Sequence, residues 1–122
     1  METKRFSWRA RFKSFVFAFS GLTYFFRREH NAWIHAVAAV AVIVFSLIMK
    51  LKAVEMIAIL IAIGMVWIAE MFNTAIEKIM DHLSPAFHPD VKIIKDIAAA
   101  AVLVAACIAF LIGLIIFIPK FL

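Results

Sequence analysis

The chain has 122 residues, of which 66% are hydrophobic and 17% are charged, and its mean hydropathy is +1.03. Soluble domains are roughly 45–50% apolar, and a chain this short has too much surface to bury so many apolar side chains, which excludes a water-soluble enzyme and a disordered chain. The formal charge of +5 does not indicate nucleic-acid binding, because seven of the thirteen Lys and Arg residues precede residue 30, interspersed with Phe and Trp.

Residues 6–28 are predicted to form an amphipathic helix that lies in the membrane interface. Aromatic and leucine side chains recur there every three or four residues, the period of one helix face: Trp8, Phe12, Phe15, Phe19, Leu22 and Phe26. Basic residues accompany this face, and anionic lipid headgroups attract such charge. A signal-anchor flank without a function of its own is the alternative interpretation.

Three later stretches are long and apolar enough to cross a hydrocarbon core of about 30 Å, which takes about 20 helical residues. The predicted helices that contain these spans cover residues 30–49, 53–81 and 95–118. A loop with two prolines is predicted over residues 82–91, and the last span is predicted to end at Pro119. We therefore expect an all-α membrane protein with a single domain over residues 1–122. The single Cys107 excludes an intramolecular disulfide framework and a cysteine-based zinc site.

The basic residues are distributed unequally between the two ends of the predicted spans. The end with the N-terminal helix and the 82–91 loop holds ten Lys and Arg residues, and the other end holds three. The positive-inside rule makes the first end cytoplasmic.

Polar residues are concentrated near this predicted cytoplasmic end. Seven of the eight carboxylates lie there: Glu2, Glu29, Glu70, Glu77, Asp81, Asp90 and Asp96. One helix face collects four polar residues spaced by three, four and four positions: Glu70, Asn73, Glu77 and Asp81. Because an ionisable side chain at membrane depth is costly and is usually paired or functional, Glu70 is a candidate catalytic residue. Asp81 fits a solvated helix end equally well, and Glu55 is expected to be solvated at the opposite boundary.

Several acids beside an Asn and a Lys at a membrane surface suit Mg²⁺ and phosphate chemistry. Mg²⁺ prefers oxygen ligands, a lysine such as Lys95 supplies a point charge for phosphate, and a carboxylate can act as general base toward a hydroxyl. Asp96 has a structural alternative as an anion near a helix start. Glycine-rich phosphate motifs are absent, since the only glycines are Gly21, Gly64 and Gly113.

The segment from Glu70 to Leu103 resembles the signature of the prokaryotic diacylglycerol kinase and undecaprenol kinase family, the small membrane lipid kinases of bacteria. The positions that carry the resemblance are Glu70-x-x-Asn73-Thr74-Ala75-Ile76-Glu77-x-x-x-Asp81, His88 and Lys95-Asp96-x-Ala98-Ala99-x-Ala101-Val102-Leu103. The likeness covers residues 9–118. A looser match includes Lys13-Ser14-Phe15, Ala18 and Gly21, with Arg9 or Arg11 in the place of an early arginine.

The resemblance implies an ATP- and Mg²⁺-dependent lipid kinase of the bacterial inner membrane, a homotrimer whose active sites are shared between neighbouring subunits. It implies that Glu70 is the general base toward the lipid hydroxyl and that Glu29 and Glu77 bind Mg²⁺. The ATP-binding residues that it implies are Arg9, Phe17, Glu29, Asn73, Glu77, Ala86, Phe87, His88, Lys95 and Asp96. The lipid-contacting residues that it implies are Ser14, Glu70 and Ala99.

Two alternatives stay open at the level of sequence. The acceptor is diacylglycerol or undecaprenol, and the Glu29-x-Asn31-x-x-x-His35 spacing resembles the undecaprenol branch more closely. The non-enzymatic alternative is an ion-conducting oligomer or an accessory subunit. A conduction path needs polar residues through the whole membrane thickness, and residues 97–118 offer none.

Three smaller expectations concern packing. The histidines are expected to make hydrogen bonds or to lie at the interface, apart from His88, which carries the resemblance. Trp67 is expected to pack against Glu70. Gly64 and the alanines of residues 98–101 are expected to allow close approach between helices.

Overall fold

The computed structural model describes residues 4–122, so Glu2 lies outside the described residues. Over this range the chain forms four α-helices and no strand: α1 (Trp8–Arg28), α2 (His30–Ile48), α3 (Ala53–Leu83) and α4 (Pro89–Phe121). Helices α2, α3 and α4 are each long and apolar enough to cross a membrane. The prediction of an all-α, multi-pass membrane protein is confirmed.

Helix α1 joins the rest of the chain only through its last turns. Ser7 caps its start, where the Ser7 hydroxyl accepts a hydrogen bond from the Ala10 N–H at 3.4 Å. Every residue from 8 to 20 is exposed, and Phe25 is the buried residue of this helix. The Phe25 and Phe26 rings pack against Trp67 of α3, with centroids 6.3 and 5.2 Å away. The apolar face of α1 therefore has no cover from the described part of the chain, and its interfacial placement stays a prediction.

A single extended residue, Glu29, separates α1 from α2. Its backbone N–H donates to the Phe25 carbonyl at 3.0 Å, and its carbonyl accepts from the Ala32 N–H at 3.2 Å. These two hydrogen bonds satisfy one backbone group at each of the two helix ends, so Glu29 is held at the same end of the bundle as the start of α2.

The turn between α2 and α3 has Schellman geometry. Lys50 adopts a positive φ of 54° and its N–H donates to Leu47, while the Leu51 N–H donates to Ser46, each at 3.2 Å. A lysine thus stands where glycine is the usual residue, because glycine has no Cβ to oppose a left-handed conformation.

Helices α3 and α4 form an antiparallel hairpin, which is the most extensive contact in the fold, whereas α2 packs more lightly on α3. The buried face of α3 repeats every three or four residues: Ile59, Ala62, Val66, Glu70 and Thr74. Small residues of α4, Ala98 and Ala105, are 7% and 4% exposed. The expected close packing at Ala98 is confirmed. The same expectation for Gly64 is wrong within this chain, since a Cβ there would meet no atom within 4 Å.

The boundaries of α4 differ from the prediction at both ends. The predicted 82–91 loop is too long, because α3 continues to Leu83 and α4 begins at Pro89, where the ring of proline suits a first helical position. His88 caps this start through Nδ1, which accepts from the Asp90 N–H at 3.1 Å. The predicted stop at Pro119 is also wrong, and α4 runs to Phe121. A proline so near a helix end removes only one hydrogen bond of the last turn.

The bundle has two ends with different polar residues. The carboxylate end holds Glu29, Glu70, Glu77 and Asp81, and the lysine end holds Lys50, Lys52 and Lys120. At the lysine end, the Glu55 carboxylate accepts from the Lys52 backbone N–H at 3.0 Å and from Lys120 Nζ at 3.1 Å. The expectation that Glu55 is simply solvated is therefore wrong.

Candidate functional site

Glu70 is a buried carboxylate on the face of α3 that packs against the other helices. Its side chain is 10% exposed, and its Oε1 lies 2.9 Å from Nε2 of His35 on α2, whose side chain is 27% exposed. The pair joins α2 to α3 through two residues that are 35 positions apart in the sequence. The expected hydrogen-bonding role of His35 is confirmed, and its partner is the residue predicted to be catalytic.

Asn73 and Glu77 follow one and two turns further along α3. The Asn73 amide Nδ2 is 3.4 Å from the Glu77 Oε1, a long hydrogen bond. The Asn73 Oδ1 is buried and has no hydrogen-bond partner among the described residues. A buried acceptor without a donor is rare in folded proteins, so this oxygen is available to a ligand next to the Glu77 carboxylate.

Two lysines of α4 are paired with carboxylates at the same end. Lys95 Nζ contacts Asp81 Oδ1 across the hairpin, and Lys92 Nζ lies 2.5 Å from Asp96 Oδ2 on its own helix. The Lys95 side chain is 35% exposed, so it remains open to solvent beside its partner. Asp81 is therefore more than a solvated helix end, since it ties α3 to α4.

The α3–α4 connection contributes the remaining predicted nucleotide residues. Ala86, Phe87 and His88 are exposed, and the Ser84 hydroxyl donates to the Ala86 carbonyl at 3.0 Å. His88 is engaged as the cap of α4. This short loop places its side chains at the carboxylate end, about two helix turns before Lys95.

Other predicted residues lie on surfaces without such contacts. Arg9 and Phe17 are exposed on α1, and Ser14 on the same helix donates its hydroxyl to the Ala10 carbonyl at 3.1 Å. Ala99 is exposed on α4. Glu29 is half-buried at the α1–α2 corner, and its side chain does not cap α2. Within residues 4–122 no three His, Cys, Asp or Glu side chains converge as a metal-binding group.

An apolar groove of about 480 Å³ runs between α2 and α4 along α3. His35 and Trp67 line it at the carboxylate end, and Phe45, Phe117 and Phe121 line it toward the lysine end. The other lining residues are aliphatic or small, so the His35 ring is the one titratable side chain of the groove. One end of the groove is therefore bordered by His35, the histidine that is hydrogen-bonded to Glu70.

Trp67 joins α3 to the end of α1. Its ring packs against Phe25 and Phe26 of α1, and its packing against Glu70 stays a prediction. In the same region Lys78 of α3 lies over the Tyr24 ring, 4.8 Å from its centroid. These contacts fix the end of α1 against α3 near the polar residues.

The residue that sequence reasoning underrated is His35. A signal was present, because His35 and Ser46 interrupt an otherwise apolar span, and a polar side chain at membrane depth usually has a partner. The sequence alone does not report that the partner is Glu70. Ser46 instead satisfies itself, through a 2.7 Å hydrogen bond to the Val42 carbonyl.

Comparison with known proteins connects this geometry to an activity. The profile of the prokaryotic diacylglycerol kinase family matches residues 16–117. An undecaprenol kinase of Bacillus subtilis (strain 168) is 43% identical over 109 residues, which is 89% of each chain. A diacylglycerol kinase of Synechocystis sp. (strain ATCC 27184 / PCC 6803 / Kazusa) is 36% identical over 110 residues, which is 89% of this chain and 63% of that protein.

The matched segment begins within α1 and takes in α2, α3 and nearly all of α4. It therefore includes all four carboxylates that define the carboxylate end. The chain belongs to the prokaryotic diacylglycerol kinase family, and the prediction of a membrane lipid kinase is confirmed.

Proposed function

We propose that the protein transfers the γ-phosphate of ATP to the hydroxyl of undecaprenol at the carboxylate end of the bundle. The observation that carries this proposal is the position of Glu70. It is a buried carboxylate that is hydrogen-bonded to His35, and His35 lines the carboxylate end of an apolar groove. A lipid alcohol whose chain occupies the groove presents its hydroxyl to the carboxylate, while ATP approaches from the water at the same end.

The choice of undecaprenol over diacylglycerol rests on two supports. The undecaprenol kinase relative is more similar to this chain and matches over 89% of its own length, against 63% for the diacylglycerol kinase. The groove is lined almost wholly by aliphatic and aromatic side chains, which suits an isoprenoid chain. Diacylglycerol is the second candidate acceptor, because the Synechocystis relative carries that name.

The proposed chemistry begins with proton removal by Glu70. A carboxylate oxygen takes the hydroxyl proton, the alcohol oxygen forms a bond to the γ-phosphorus, and the bond between that phosphorus and the β–γ bridging oxygen breaks to release ADP. Phosphoryl transfer depends mainly on positioning and on charge stabilisation. Glu70 is buried and hydrogen-bonded, which fits a group with one fixed proton-accepting position.

The donor set beside Glu70 fits Mg²⁺. Glu77 offers a carboxylate, and Asn73 offers the buried Oδ1 that lacks a partner, which are oxygen ligands of the kind that Mg²⁺ takes alongside nucleotide phosphates. Glu29 is the second proposed carboxylate ligand, and its side chain is not used in capping α2. Bound Mg²⁺ would supply neutralisation of the phosphate oxygens.

Other residues are proposed to bind the nucleotide. Lys95 is the phosphate contact, because its ammonium is partly exposed beside Asp81. Asp96 and the Ala86-Phe87-His88 loop lie at the same end, with Arg9 and Phe17 supplied by α1. Ser14 and Ala99 remain the proposed lipid contacts beside Glu70.

We also propose that the protein is a homotrimer in the bacterial inner membrane, with the carboxylate end in the cytoplasm. The exposed apolar face of α1, with Phe12 and Phe15 about two-thirds exposed, supports an environment of lipid or neighbouring subunits. The excess of Lys and Arg at the carboxylate end supports the orientation. Co-expression of Glu70→Gln with Glu29→Gln tests shared sites, since mixed oligomers regain activity only if Glu29 and Glu70 of one site come from different subunits.

An ion-conducting role is disfavoured by the position of the polar groups. The groove carries His35 at one end and apolar side chains beyond it, so no polar path crosses the bundle along it. Family membership points the same way.

The experiment that tests the proposal identifies the product. Purified protein in mixed micelles receives radiolabelled ATP, Mg²⁺ and undecaprenol or diacylglycerol, separately and in competition. We expect labelled undecaprenyl phosphate, formed with the higher kcat/KM. Preferential labelling of phosphatidic acid assigns diacylglycerol instead, and no labelled lipid from either acceptor overturns the proposed transfer.

A further inference from the structure

His35 contacts the proposed general base, Glu70, and is a candidate for a role in the reaction. His35 Nε2 and Glu70 Oε1 are 2.9 Å apart, and among the described residues His35 is the one side chain that hydrogen-bonds to Glu70. The contact crosses from α2 to α3, where packing is light. It is therefore a specific polar link between two helices that otherwise share apolar contacts.

Burial makes this link demanding for Glu70. A carboxylate that is 10% exposed inside an apolar helix pair has lost most of its hydration, and such a group is costly unless it is hydrogen-bonded. An imidazole N–H is a donor that satisfies one carboxylate oxygen and leaves the second oxygen free. The ring therefore restricts both the rotation of the carboxylate and the choice of oxygen that faces a substrate.

We propose that His35 is a positioning residue for Glu70, whose Nε2–H donates to Oε1 so that Oε2 is presented to the hydroxyl of the lipid acceptor. The proposal rests on the proposed role of Glu70 as general base. His35 also lines the groove, so the same ring contacts the base and borders the space assigned to the acceptor chain. The acceptor and the base are thereby held by one side chain.

Positioning of this kind acts on turnover more than on nucleotide binding. A base must lie within hydrogen-bond reach of the proton that it removes, and a displacement of about 1 Å lowers a rate by about 100-fold. The nucleotide residues Asn73 and Glu77 lie one and two turns away along α3. We therefore expect loss of the His35 donor to lower kcat and to leave the KM for Mg·ATP nearly unchanged.

The test compares His35→Gln with His35→Leu and with His35→Asn in the lipid kinase assay. The glutamine amide N–H reaches about as far as Nε2, the asparagine amide stops short of that position, and leucine has no donor. We expect His35→Leu and His35→Asn to lower kcat by about 100-fold, with the KM for Mg·ATP within about twofold of wild type. His35→Gln is expected to retain kcat within about tenfold.

A matched control is His30→Leu, because His30 is exposed at the start of the same helix. It is expected to leave kcat unchanged. Should His35→Leu fail to purify as a folded, monodisperse protein, the Gln and Asn variants carry the test, since both keep a polar side chain and differ in reach. Equal kcat for Gln, Asn and wild type overturns the proposal, as does an effect confined to the KM for the lipid.

Glu70→Gln distinguishes failure of the base role of Glu70 from failure of the positioning role of His35. If this variant retains wild-type kcat, the base role of Glu70 fails and the positioning role fails with it. If Glu70→Gln abolishes turnover and His35→Leu does not lower kcat, only the positioning role of His35 is wrong.

Discussion

The two ends of the α3–α4 hairpin carry the same device, a carboxylate of α3 paired with a lysine of α4, in different surroundings. At the lysine end, the Glu55 carboxylate accepts hydrogen bonds from Lys120 Nζ and from the backbone N–H of Lys52. At the carboxylate end, Asp81 pairs with Lys95, and the same helix face also carries the buried Glu70 and the buried Oδ1 of Asn73. At the lysine end, the ion pair joins α3 to α4 and uses the polar atoms present. At the carboxylate end, the ion pair joins the same two helices, and further polar atoms remain without a role in the fold.

The difference teaches where function lies in an apolar chain. Folding leaves few buried polar atoms without partners, and those that remain call for a ligand or a reaction. Glu55 is accounted for by its two donors. Asn73 Oδ1 has no partner within the described residues, and Glu70 uses His35 alone. Matched substitutions at the two ends therefore separate activity from stability.

The largest expected effect is that of Glu70→Gln. The amide keeps the size of the side chain and cannot take a proton, so we expect kcat to fall by about 1,000-fold, within the range of lost general-base catalysis. Binding of Mg·ATP, measured by isothermal titration calorimetry on the purified protein, is expected to remain.

The matched control is Glu55→Gln at the lysine end, for which we expect wild-type kcat and a small decrease in the midpoint of thermal unfolding. Glu55 is joined to Lys120 and Lys52 rather than to the groove, so its loss affects only the closure of the hairpin. Equal losses of kcat in the two variants contradict the distinction between the ends.

The second expected effect is on the requirement for Mg²⁺. Glu77→Gln and Asn73→Leu each remove one oxygen ligand of the proposed site, and loss of one such group lowers metal affinity by about 10- to 100-fold. We expect the Mg²⁺ concentration for half-maximal rate to rise by that factor at saturating ATP. An unchanged Mg²⁺ dependence in both variants removes Asn73 and Glu77 from the proposed metal site.

The third effect compares the lysines of the two pairs. Lys95→Met is expected to raise the KM for ATP by roughly 10- to 150-fold, because an ammonium–phosphate hydrogen bond contributes about 1.5–3 kcal/mol. Lys120→Met is expected to leave that KM unchanged, since Lys120 pairs with Glu55 at the far end. Initial rates across a range of ATP concentrations measure both values. A raised KM in the Lys120 variant would show that the pairs act through the fold rather than at the site.

Much of this arrangement was predictable because it depends on periodicity and charge. The three spans follow from apolar runs, and the stripe that includes Glu70 and Glu77 follows from helical spacing. Contacts between elements were not predictable in the same way. The partner of Glu70 depends on how α2 crosses α3, and the partner of Glu55 stands 65 residues later on α4. Spacing along one helix carries no information about either crossing.

Errors at the helix ends have a local cause. The predicted 82–91 loop contains two prolines, but only Pro85 lies in the connection, and Pro89 is the first residue of α4. A proline is tolerated where its missing N–H has no helical partner to lose. Pro119 shows the same principle at the other terminus, where one lost hydrogen bond does not stop the last turn.

The smallest expected effect returns to the lysine end, at the turn between α2 and α3. Lys50 holds a φ of 54° in the Schellman turn, a conformation that costs a residue with a Cβ about 1–2 kcal/mol. Lys50→Gly removes that cost but gives the unfolded chain more freedom, which offsets about 0.4–1 kcal/mol. We expect a net stabilisation of about 0.5–1 kcal/mol in detergent unfolding titrations and no change in kcat, because the turn touches no residue of the proposed site. A Lys50→Gly variant with lower stability would mean that the Lys50 side chain stabilises the fold directly. A variant with lower kcat would mean that this side chain contributes to activity, and the lysine end would then share the function proposed for the carboxylate end.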